Sequence, residues 1–143
     1  MHGFCIHFIM KYFLLFFLNV FLLTTSFAQL KFSKEVQIIV QAIANANKYE
    51  SRYVGFAGSE SEQYKRMLHL KKVATKEELL TLTKNDRAAV RIYSYLALLQ
   101  VYPAEAEKVY ERLKKDYTKV FTLEGCVGGR STVGNIVYRF SPQ

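Results

Sequence analysis

The sequence predicts an all-α fold: a small domain of helical hairpins, about five or six helices, behind an N-terminal export leader. Three observations predict it. Apolar residues recur at the i, i+3, i+4, i+7 spacing of one buried helix face in several separate segments. A Ser or Thr followed three residues later by Glu opens two of these segments, at Ser59/Glu62 and Thr75/Glu78, as a capping box does. One segment, Arg87 to about Val101, is apolar almost all the way round and must be enclosed by other elements.

The leader comes first in the chain. Lys11 precedes a nearly unbroken apolar run from Tyr12 to Phe27, and Ser26-Phe27-Ala28 places small residues before Gln29. Charge, apolar run and small-residue exit in this order form a secretory signal, with cleavage expected between Ala28 and Gln29. The run falls short of the ~20 residues that a permanent membrane helix needs. The competing reading is a retained signal anchor at the inner membrane, aided by the apolar stretch Phe4 to Ile9. Met10-Lys11 is an alternative start to Met1. The domains are then residues 1–28 as leader and 29–143 as one helical domain, placed in the periplasm or outside the cell.

In the mature part, Ser33 opens a first helix to about Asn47, with Val36, Ile39, Val40 and Ile43 on its buried face. Tyr53 to Ser59 carries two glycines and reads as a linker. A second helix is expected from about Glu60 to Val73, burying Tyr64, Met67 and Leu68. A short third helix, capped by Thr75 and Glu78, ends near Lys84 and buries Leu79, Leu80 and Leu82. Asn85-Asp86 makes a turn, and Asp86 is placed to cap the fourth, central helix. Pro103 opens a fifth helix, where a missing N–H costs nothing. Its stripe is Ala106, Val109, Tyr110, Leu113 and Tyr117. In the tail, Lys119 to Glu124 alternates weakly, as an extended segment does, and Gly125 to Gly129 reads as a loop. Val133, Ile136, Val137 and Phe140 repeat at helical spacing behind Ser131. A strand competes there, because the segment is rich in β-branched and aromatic residues.

A short helix, then Asn85-Asp86, then Val90-Arg91, then Ala97-Leu98 resembles a single HEAT-type helical hairpin, over residues 75–99 of a hairpin spanning 75–101. In that family the Asp caps the second helix and the Arg reaches back towards the turn or a neighbouring repeat. Asp86 and Arg91 stand at those positions, and Ser94 stands where a small residue such as Ala is usual. No second copy is convincing, and helices one and two, and helix five with the tail, are left to pack as degenerate hairpins or caps. The resemblance implies a scaffold that binds other proteins, without catalysis.

Composition bounds the chemistry. Lys11 is the one basic residue of the leader, so the mature part keeps a charge of +7 against +8 for the whole chain. That excess favours anionic lipid, acidic glycan or nucleic acid, and export makes nucleic acid the least expected partner. Cys5, His2 and His7 leave with the leader. Cys126 and His69 then stand alone, which excludes an internal disulfide and any Cys-rich or multi-His zinc site within one chain. No metal and no cofactor is expected.

Few residues remain as candidates. Lys65, Arg66, His69 and Lys72 fall together on one side of the second helix and form a possible binding face for anionic lipid or an acidic partner. Cys126, in a glycine-rich turn, could act as a nucleophile only with a base such as His69 within reach. Gly129-Arg130-Ser131 lacks the Gly-Lys-Ser/Thr order of a phosphate-binding loop. Glu105, Glu107 and Glu111 lie on a wet helix face and no catalytic residue is assigned. The reading is a non-catalytic protein-binding or scaffold module of the envelope. A basic binder of anionic lipid or glycan is the alternative, and a Cys-dependent hydrolase the second alternative.

Overall fold

A computed structural model describes residues 32–142. The expected leader, with its exit at Ala28 and Gln29, lies outside the described residues. The chain runs α1 (Lys34–Ala46), β1 (Lys48–Val54), β2 (Ser59–Glu60), α2 (Glu62–Val73), α3 (Lys76–Leu82), α4 (Ala88–Val101), α5 (Pro103–Leu113), β3 (Lys119–Gly125), β4 (Val127–Thr132) and α6 (Val133–Tyr138). The all-α expectation is overturned. The helices stand with a four-stranded mixed sheet of order β2-β1-β3-β4, in which β1 and β3 are parallel and the outer pairs antiparallel.

Helix α4 is the centre, as its composition requires. Every residue from Ala88 to Leu98 is buried, and α1, α2, α3, α5, α6 and the two middle strands all pack against it. Three polar side chains of α4 reach out and tie the layers together. The Tyr93 hydroxyl accepts from the Glu50 N–H (2.7 Å) and donates to the Glu50 carbonyl (3.2 Å), fastening α4 to β1. Tyr95 donates to the Phe140 carbonyl at 2.6 Å, holding the C-terminal turn. Arg91 donates through Nε to Asp116 (2.9 Å) and through Nη1 to the carbonyls of Asn85 (2.7 Å) and Asp86 (3.0 Å). Arg91 thus reaches back to the turn. Asp86 does not cap: α4 begins after Arg87 with no side-chain cap, and Asn85 closes the turn by accepting from the Arg87 N–H.

The local start signals are partly as expected. Ser33 caps α1 through the Val36 N–H, and Thr75 with Glu78 forms the capping box of α3. The second Glu78 oxygen accepts from the Ser33 N–H at 2.9 Å, so one carboxylate joins the starts of α1 and α3. Helix α2 begins later than expected. Ser61, not Ser59, is its cap, because Ser59 and Glu60 pair with Val54 and Tyr53 in the sheet. Its buried face is accordingly Gln63, Met67 and Leu70. The supposed linker is the tight turn of the β1–β2 hairpin, with Gly55 (φ 75°) and Gly58 (φ 61°) in conformations that glycine tolerates. Helix α3 stops at Leu82, before Lys84. Helix α5 stops at Leu113, so Tyr117 leaves the stripe and is 84% exposed.

The glycine loop is largely strand: β4 starts at Val127 and runs antiparallel to β3. The tail beyond it is helix, α6, capped by Thr132 through the Asn135 N–H and not by Ser131. The Ser94 hydroxyl is buried without a hydrogen-bond partner, the one such side-chain atom among the described residues.

Candidate functional site: an aromatic cleft beside the central helix

Between β1, α2, α4 and the C-terminal turn lies a cleft of ≈ 530 Å³. Its apolar wall comes from Met67, Leu96 and Leu99, and its aromatic wall from Tyr49, Tyr64, Tyr93 and Phe140. The fold places these rings for structural reasons. Tyr93 must meet β1 to satisfy the Glu50 backbone, which stacks its ring on Tyr49 at 5.9 Å. Phe140, held through its carbonyl by Tyr95, meets Tyr49 edge-on at 6.5 Å. Two guanidiniums also line the cleft. Arg139 lies over Tyr49 at 5.6 Å and pairs with Glu124 at 2.6 Å. Arg52 lies over Tyr53 (5.1 Å) and Tyr64 (5.5 Å) and pairs with Glu60 at 3.3 Å. An apolar concavity with a few convergent polar groups is the usual form of a ligand site.

The ionisable groups here are shifted away from neutrality. Burial pushes the Tyr93 hydroxyl well above its ordinary range and raises Tyr49, against the opposing charge of Arg139. Tyr95, beneath the C-terminal turn, is pushed up to about 12 by burial. Glu50 moves the other way. Burial alone would raise it, but hydrogen bonds from Lys48 and Ser61, the Lys48 charge and a backbone N–H together lower it. All these groups therefore keep one protonation state near pH 7. General acid–base work needs a group poised near the working pH, and these four groups lie away from it.

The lowered carboxylates set a pH dependence. Glu50, Glu78 and Asp116 all sit below their ordinary values, because hydrogen-bond donors and, for Glu50 and Asp116, a nearby cation outweigh the effect of burial. A depressed folded-state pKa contributes stability that is present above the unfolded value and lost as pH falls through the folded one. Urea-unfolding stability is therefore expected to hold from neutrality to about pH 5 and to fall steadily below about pH 4.5. Stability that rises on acidification would contradict these pairings.

The residues singled out from the sequence are placed elsewhere. Lys65, His69 and Lys72 are exposed on α2, but the face is partly neutralised. Lys65 pairs with Glu62 (2.8 Å), His69 bonds Glu35 of α1 (2.8 Å), and Arg66 turns to Gln63 (2.8 Å). Arg66 instead lines a second, polar cleft of ≈ 510 Å³ together with Lys48, Glu50, Ser61 and Gln63. Cys126 is exposed at the β3–β4 turn and shares no hydrogen bond with His69 among the described residues. Among the described residues, no group of three His, Cys, Asp or Glu side chains is placed to hold a metal ion.

No protein-family model matches the chain, and no curated protein does. The site must therefore be read from its own chemistry. The cleft is not visible in the sequence, where Tyr64 falls on the buried side of the second helix and Tyr93 inside the enclosed fourth helix. The available signal was the adjacency of arginine and aromatic residues at Arg52-Tyr53 and Tyr138-Arg139-Phe140.

Proposed function

We propose that this chain is a non-catalytic binding module of the cell envelope that takes an apolar side chain of a partner protein into the Tyr49–Phe140 cleft. One observation carries the reading: a concavity of ≈ 530 Å³ has buried aliphatic and aromatic walls, Tyr64, Leu99 and Phe140 as its accessible rim, and Arg52 and Arg139 stacked on the rings. Rigid aromatic anchors with arginine beside them are the side chains that dominate protein-binding hot spots. Tyrosine favours places with one apolar and one wet end. The envelope location rests on the leader pattern from Lys11 to Ala28. The HEAT-type likeness of residues 75–99 adds no support, since Asp86 does not cap α4 and the hairpin stands with a sheet. It is not needed for the cleft, which α4 forms with the sheet.

The test is a photo-crosslinking residue placed at Leu99, in the cleft, or at Lys108, exposed on α5. The expected result in the producing cell is a discrete cross-linked envelope protein from position 99 and none from position 108. Mass spectrometry should find the chain itself beginning at Gln29. Equal cross-linking from both positions, or cytoplasmic partners only, would sink the proposal.

A further inference from the structure

The side of the sheet facing away from the cleft carries a different chemistry. The register sets Lys48, Phe121 and Arg130 in one row across β1, β3 and β4. Lys119 and Leu123 share that side of β3, because alternate residues of a strand face the same way. Tyr49 and Glu124, which line the cleft, point to the other side. Phe121 is 57% exposed, so no element lies over it, and the Arg130 guanidinium sits 4.5 Å above its ring. Tyr117, two residues before β3, is also exposed.

The charge on this face has one sign. Glu50 is the one carboxylate that the strand register puts here, and it is buried, held by Lys48 at 2.6 Å and by Ser61 at 2.6 Å. Lys119 and Arg130 are exposed and form no ion pair among the described residues. Free cations flanking exposed rings call for an anionic partner. The basic side of α2 is a weaker candidate, because Lys65 and His69 already face Glu62 and Glu35.

We infer that this open face docks the protein on an anionic phospholipid surface. Lys119 and Arg130 would meet the phosphates while Phe121 sits at headgroup depth. A lipid surface fits better than an acidic glycan for a chemical reason. Sugar hydroxyls are recognised by planar polar side chains such as Asn, Gln, Asp and Glu, and the one such strand residue on this side, Glu50, is buried and held by Lys48 and Ser61. A headgroup layer needs only cations and an amphipathic or apolar tip. The excess of +7 carried by the part after the leader adds long-range attraction.

The chain contains no tryptophan, so Phe121→Trp makes a site-specific reporter. Vesicles of mixed phosphatidylglycerol and phosphatidylcholine are titrated into the protein as recovered from the producing cell. The expected result is a blue shift of the emission and quenching by brominated acyl chains. Neither should occur with phosphatidylcholine alone. Apparent affinity should fall at least about tenfold in ~0.5 M salt, and by a similar factor when Lys119→Glu and Arg130→Glu are combined. Should that charge reversal disturb the circular dichroism spectrum, Lys119→Gln with Arg130→Gln is read in its place. A reporter at Val101→Trp, at the end of α4, should stay unshifted. No shift at position 121, an equal shift at position 101, or insensitivity to the charge changes would overturn the proposal. So would a response to dextran sulfate with none to vesicles, which would give these cations to a polyanionic glycan. The readout is local to the sheet, so the outcome is independent of whether the cleft binds a partner protein.

Discussion

Replacing Arg91 with Met is expected to cost about 3–5 kcal/mol of folding stability, the range for removing one partner of a buried ion pair. The Arg91 side chain is 10% exposed and that of Asp116 19% exposed, with Nε and Oδ2 2.9 Å apart. The same guanidinium also satisfies the Asn85 and Asp86 carbonyls at the turn before α4. Met fills similar space but leaves a half-enclosed carboxylate and two carbonyls without their donor. Arg91→Lys should recover little, since one ammonium cannot span three acceptors on two segments. The check is the urea midpoint of each variant. A double-mutant cycle with Asp116→Asn should also show that the pair is coupled. A loss under about 1 kcal/mol for Arg91→Met would show that the contact is not formed as described.

Gly134→Ala is expected to destabilise, although alanine normally gains about 1 kcal/mol over glycine inside a helix. Gly134 lies in the first turn of α6. A Cβ there would stand 2.6 Å from the Lys114 carbonyl oxygen, 3.1 Å from its carbon and 3.2 Å from the Asp116 oxygen. All of these are backbone atoms of the segment after α5, so no side chain can rotate away. That segment is also pinned to α6, because the Gly134 N–H donates to the Asp116 carbonyl at 2.9 Å. The expected cost is about 1–3 kcal/mol, as for other overpacked sites. It should appear as a lower urea midpoint with an unchanged m-value. A stabilising Gly134→Ala would mean that α6 and the α5–β3 connection do not approach so closely. The Arg91 and Gly134 variants test the same corner of the fold, around Asp116, by loss of charge and by excess volume. Their effects should therefore not add independently.

How far the fold can be read from the sequence follows from which interactions are local. Helix α4 is legible because its eleven residues from Ala88 to Leu98 are all buried and nearly all apolar. Ser33 and the Thr75/Glu78 box are legible because a cap acts on N–H groups only a few residues away. The sheet is not legible for the converse reason. β1 pairs with β3, its register joining Lys48 to Phe121 across most of the domain. Its burial does not alternate either: Tyr49 and Glu50 are adjacent and both buried, one stacked on Tyr93 and the other held by Lys48 and Ser61. A period of two therefore never appears in β1, whereas the weak alternation from Lys119 to Glu124 does mark β3. β4 contains Gly128 and Gly129, poor strand formers, and owes its conformation to pairing with β3. Ser59 was a plausible cap by composition, but the hairpin took it, which moved the start of α2 and turned its buried face. The cleft was hidden for the same cause. It exists only once β1 is a strand against α4, and an all-helical chain has no such wall.

The direct measurement of the account's central claim is a titration with anilinonaphthalene sulfonate, whose apolar rings and single anion match the walls and arginines of the Tyr49–Phe140 cleft. The account predicts a saturable site at the cleft, read in a Phe121→Ala, Arg130→Gln background so that the open sheet face does not contribute. Enhancement should be lost in Leu99→Glu while that variant keeps a native near-ultraviolet dichroism spectrum. No enhancement in that background, or equal enhancement with Leu99→Glu, would contradict the claim that this cleft is a binding site.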